Sequence, residues 1–172
     1  MRSAVSTFRI AVLCTLVALG VAPFARHAGA ATATGNFQVR ITIQESCIVV
    51  GTPSPLDFGN QNVLTANVDA TTTLTVQCTT STPYTIGLNA GTGAGATLAV
   101  RKMTGPGAAT VDYSLYQDSP RTVLWGDVIS TNTQAGTGNG SPQAYTVYGR
   151  VPPQATPASG LYIDTITVTV TY

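Results

Sequence analysis

From residue 31 onward the chain alternates apolar and polar residues with a period of two, and no stretch there repeats them with a helical period. The clearest run lies last: Ile166, Val168, Val170 and Tyr172 share one face, and Thr165, Thr167, Thr169 and Thr171 share the other. Successive side chains of a strand point to opposite faces, so this pattern calls for a strand buried on one side. Other runs precede it. Phe37, Val39, Ile41 and Ile43 alternate with Gln38, Arg40 and Thr42. Cys47 and Val49 form a brief run, and Leu74, Val76 and Cys78 a longer one. Tyr84, Ile86 and Leu88 alternate, as do Val111, Tyr113 and Leu115, and then Tyr145, Val147 and Gly149 with Tyr148 on the other face. Residues 51–55, 91–95, 105–107 and 152–157 are rich in Gly and Pro and read as turns or loops, and 130–142 reads as the longest low-complexity loop. Many short strands between turns predict an all-β antiparallel sandwich.

Composition supports this. Only 9% of the 172 residues are charged, against about 25% in ordinary soluble domains. Thr hydroxyls wet an outer sheet face without ions, and Thr and Val both fit a pleated surface. The formal charge of +1, with no basic cluster, argues against a nucleic-acid partner.

Residues 1–30 read as a secretory signal peptide. Arg2 and Arg9 precede an apolar run from Ile10 to Val21, and Ala28-Gly29-Ala30 supplies a small-x-small cleavage site. The run is too short to cross a bilayer as a helix, so no membrane span is expected after cleavage. Removal would leave 31–172 as a single domain with five basic and seven acidic side chains, a formal charge of −2. It would also remove His27, the sole histidine. A Ser-His-Asp triad, a Cys-His pair and a His-ligated metal are then impossible. No cofactor or catalytic residue is expected.

Cys47 and Cys78 remain. In an exported chain such a pair reads as a disulfide; buried free thiols are the alternative. Closing a loop of about thirty residues is worth about 3–4 kcal/mol in the chain-entropy picture.

Several residues carry weaker signals. Trp125 reads as a packed or turn-anchoring residue, with a sugar-binding aromatic as the alternative. Asp112, Asp118 and Asp127 fit no calcium-loop spacing, and Asp118 lies where Asp caps backbone. Arg101-Lys102 reads as solvated surface. Asn139-Gly140-Ser141 matches a glycosylation sequon but also reads as a turn. The seven tyrosines fit packing between strands.

The run 37–43 begins soon after the expected cleavage site. It reads either as an ordinary first strand packed within its own subunit or as a strand, about residues 35–43, offered to another subunit. Strand addition supplies main-chain hydrogen bonds, and alternate side chains fill pockets.

The motifs, taken in order, resemble the spore coat protein U family, which includes pilins of archaic, Csu-type chaperone–usher pili. They are Ser46-Cys47-Ile48-Val49, Leu56-Asp57-Phe58-Gly59, Leu74-Thr75-Val76-Gln77-Cys78, Asp112 to Asp118 (DYSLYQD), Trp125-Gly126-Asp127, Tyr148-Gly149-Arg150-Val151, and the ending from Gly160 to Tyr172. The resemblance implies an immunoglobulin-like sandwich lacking its last strand and completed by donor-strand complementation. It implies Phe37, Val39, Ile41 and Ile43 as the donor face, and Ile166, Val168, Val170 and Tyr172 as the groove strand that faces a chaperone. The implied partners are a periplasmic pilus chaperone, an outer-membrane usher and neighbouring copies or homologous subunits.

The expected function is a secreted structural subunit that polymerises into a surface pilus or spore-coat-like layer used in adhesion and biofilm formation. It would pass through the periplasm to the cell surface. A minor adaptor or tip-adhesin-type binding module is the alternative.

Overall fold

The computed structural model describes residues 29–172. The expected leader lies outside the described residues except for its last two. Ile41–Tyr172 forms one compact unit.

Eight strands build this unit: β1 (Cys47–Val49), β2 (Val68–Cys78), β3 (Pro83–Leu88), β4 (Arg101–Thr104), β5 (Thr110–Tyr116), β6 (Gln134–Thr137), β7 (Gln143–Val151) and β8 (Val168–Thr171). They form a five-stranded sheet, β1-β2-β7-β5-β4, and a three-stranded sheet, β6-β3-β8. Every strand pair is antiparallel, and no α-helix occurs among the described residues.

The period-two pattern becomes the core. Leu74, Val76 and Cys78 of β2, Tyr84, Ile86 and Leu88 of β3, Val111, Tyr113 and Leu115 of β5, and Val147 and Val151 of β7 are all buried. The Leu56-Asp57-Phe58-Gly59 turn joins them: Leu56 and Phe58 pack on the core beside Gly149, where an added Cβ would meet Leu56 at 2.8 Å. The bare glycine face lets that turn lie flat on β7.

Three sequence expectations change. Part of the predicted loop 130–142 is strand β6. It pairs with β3 because Gly136 has no side chain to obstruct the Tyr84 and Tyr145 rings above it. The hydroxyls of those tyrosines bond each other at 2.6 Å. The predicted turn at 105–107 is present, as a 3-10 turn over Pro106–Ala108. The last strand is shorter than the 166–172 run, with regular pairing only over Val168–Thr171.

Arg101 departs furthest from expectation. Read as solvated surface, it is instead fully buried. Its guanidinium donates from Nε to the Asn89 carbonyl at 2.8 Å and from Nη1 to Leu98 at 3.1 Å. Nη2 donates to the Leu88 and Trp125 carbonyls at 2.9 and 2.7 Å. Burial pulls Arg101 below the ordinary guanidinium value, while the field of Tyr113, Asp127 and Asp164 opposes that shift. The fork ties the end of β3 to the loop that carries Trp125. Its neighbour Lys102 is not free either, since it pairs with Asp112 across β4 and β5 at 2.6 Å.

Candidate functional site

The site is an edge. β8 has β3 as its one hydrogen-bonded neighbour among the described strands, with Val168 opposite Leu88 and Val170 opposite Ile86. β1, the edge of the larger sheet, lies close to β8. No described strand pairs with both of these edges. Ile166, Val168 and Val170 point inward, partly buried against the core. Tyr172 is exposed. An edge strand displays unpaired N–H and C=O groups, which makes it a template for a further strand.

The strand β8 rests on a rigid support. Its partner β3 is anchored by Arg101 and by Trp125, whose indole N–H donates to the Ile86 carbonyl at 2.9 Å. Leading into β8, Asp164 is held by Thr92 and by the Tyr113 hydroxyl, which donates to it at 2.8 Å. Burial pushes the Asp164 carboxyl up, but these hydrogen bonds outweigh it and leave the group below its ordinary value. Burial, together with the bond to Asp164, raises the Tyr113 phenol.

At the other edge Cys47 and Cys78 are bonded to each other. They stand directly opposite in the β1–β2 register, with Cα atoms 4.1 Å apart. This is the pairing expected of an exported chain.

The row Phe37, Val39, Ile41 and Ile43 lies outside every strand, and its side chains are 72–87% exposed. The run therefore forms no strand among the described residues. Ile43 and Cys78 share the lining of a shallow depression beside Ser46 and Gly140.

The weaker candidates resolve into scaffold. Trp125 is fully buried. Asp118 accepts hydrogen bonds from the N–H groups of Thr122 and Val123 and from the Thr122 hydroxyl, as a capping residue does; its bond to that hydroxyl leads in lowering its pKa. The Asn139 side chain accepts from the Ser141 N–H, which closes the turn at Gly140.

The profile of the spore coat protein U domain matches residues 33–169. The chain belongs to the spore coat protein U domain family. Protein U of Myxococcus xanthus is 34% identical over 158 residues, covering 84% of this chain and 88% of that protein. The fold is similar to a chain in the crystal structure of the CsuC–CsuE chaperone–tip adhesion subunit pre-assembly complex from archaic chaperone–usher Csu pili of Acinetobacter baumannii. That match has a TM-score of 0.55 and 19% identity, and covers 76% of this chain and 41% of the other. The likeness is one of fold, and it agrees with the all-β, immunoglobulin-like reading.

Sequence reasoning missed the support beneath the edge. Neither Arg101 nor Asp164 stands in a motif that reports its partners: Arg101 binds backbone carbonyls up to 24 residues away, and Asp164 is held by Thr92 and by the hydroxyl of Tyr113, 51 residues away.

Proposed function

We propose that the region 31–172 is a single pilin-like domain, exported by the leader 1–30, that polymerises by donor-strand exchange into a surface pilus or spore-coat-like layer serving adhesion and biofilm formation. The observation that carries this reading is a complementarity within one chain. An exposed apolar row of four alternating side chains precedes a sandwich whose last strand is paired on one side only.

Phe37, Val39, Ile41 and Ile43 are the donor face in this proposal. Ile166, Val168, Val170 and Tyr172 line the acceptor groove. Burying four such side chains contributes about 6–12 kcal/mol gross, reduced by the costs of ordering and association. Before assembly a periplasmic chaperone covers the groove, and at the outer membrane an usher exchanges it for the next subunit's strand. A donor at one end and an acceptor at the other make a head-to-tail contact, the kind that generates filaments. Membership in the spore coat protein U family supports the same reading, since assembly and surface display need no catalytic group.

The test is deletion of residues 31–43. The truncated chain should accept a synthetic peptide spanning 35–43 and fail to form polymers by size-exclusion chromatography and negative-stain microscopy. Polymers as abundant as those of the intact chain would overturn the donor assignment.

A further inference from the structure

After the expected leader the chain offers a trypsin-class protease only five basic residues. Such enzymes bind several consecutive residues in extended form, so both the basic side chain and its flanking backbone must be free. Arg101 is fully buried. Lys102 lies in β4 and is paired with Asp112. Arg121 lies over the Tyr148 ring, its Nε bonded to the Gly149 carbonyl. Arg150 lies in β7, its side chain forked onto Asp69.

Arg40 differs from all four. It is exposed, lies outside every strand, and among the described residues has only Gln38, two residues away, as a side-chain partner. The bond after it divides the apolar row, with Phe37 and Val39 on one side and Ile41 and Ile43 on the other. Every strand and the whole buried core lie on the C-terminal side, within Ile41–Tyr172.

We infer that Arg40–Ile41 is a protease-sensitive switch at which a trypsin-class protease converts a donating subunit into one that can only accept. Water adds across the peptide bond, leaving a carboxylate on Arg40 and an amine on Ile41. The consequence for assembly rests on the proposed donor role of the row, whereas the selectivity of the cut rests on exposure alone. A clipped subunit keeps its groove, so it binds an incoming strand and ends the filament there. In a finished polymer the same bond is sheltered inside the neighbouring groove.

Limited trypsin digestion of the exported chain, separated by size into monomer and polymer, tests this with mass spectrometry as the readout. In the monomer, one early cut should give a fragment beginning at Ile41. Early cuts after Lys102, Arg121 or Arg150, or an intact Arg40–Ile41 bond, would overturn the inference. In the polymer the Ile41 fragment should be lost. Its appearance there at the monomer's rate would leave the selectivity standing but refute the donor reading. Arg40→Gln, on the opposite face from the apolar row, should abolish the cut and still polymerise. The clipped monomer should bind a peptide spanning 35–43 and stop polymer growth; continued growth would overturn the switch.

Discussion

The Trp125 carbonyl accepts a hydrogen bond from the buried guanidinium of Arg101 at 2.7 Å, while the Trp125 indole donates to Ile86 at 2.9 Å. Two side chains thus fasten one loop to β3, the strand on which the open edge of β8 depends. Replacing Arg101 by Met keeps its bulk and strips donors from the carbonyls of Leu88, Asn89, Leu98 and Trp125. An unsatisfied buried group costs about 1–3 kcal/mol, so Arg101→Met should lower stability by at least about 3 kcal/mol. Trp125 is the sole tryptophan, so its fluorescence during urea unfolding reports the change directly.

Asp164 adds a pH dependence. Its carboxyl is held below the ordinary value in the folded chain, so the stability it contributes is full above about pH 4 and is lost as pH falls through the lower folded value. Urea midpoints measured from pH 6 to pH 2 should drop below about pH 4. Asp164→Asn should flatten that drop. It should not abolish it, because the bond to Arg150 holds Asp69 low as well. An identical acid limb in the variant would contradict this assignment.

Reduction is expected to matter by a calculable amount. Cys47 and Cys78 are 31 residues apart in sequence, and loop-closure entropy assigns that crosslink about 3–4 kcal/mol. Cys47→Ser with Cys78→Ser should lose about this much, and a thiol assay on the native exported protein should find no free sulfhydryl at either position.

Much of the fold was legible because β2, β3, β5 and β7 each bury one face, which writes a period of two into the sequence. Strand β6 was not legible. Gln134-Ala135-Gly136-Thr137 has no apolar alternation, and its pairing depends on a glycine fitting beneath two tyrosines from other strands. Arg101 was hidden for a related reason. A basic residue beside Lys102 resembles solvated surface until four carbonyls, three of them distant in sequence, converge on it. The candidate edge was half legible: the last strand could be seen in the Thr and Val alternation, but its one-sided pairing is a property of the sheet order.

Gly136→Val tests the β6 explanation. A Cβ there would stand 2.5 Å from both Tyr84 Cζ and Tyr145 Oη. Relieving that clash should cost about 1–3 kcal/mol. Hydrogen exchange should quicken at the amides of β3 and β6 and leave those of β4 and β5 unchanged.

Ile41→Asp separates assembly from folding. Ile41 is exposed, so thermal stability of the monomer should change by less than about 0.5 kcal/mol. Polymer yield should collapse, because a charge would then have to enter an apolar groove. Equal loss of monomer stability and polymer would assign Ile41 to the subunit's own core.

The position of the crosslink also bears on how the proposed filament would carry load. Tension arriving along the chain reaches the sheets at Cys47, the first residue of a three-residue strand that hydrogen bonds alone would let unzip. Because Cys47 is bonded to the residue opposite it, the pull passes at once into β2, the longest strand, and through its register with β7 into the middle of the larger sheet. In the proposed filament the three-residue strand is thereby bypassed, and the force passes into the longest strand pairing among the described residues.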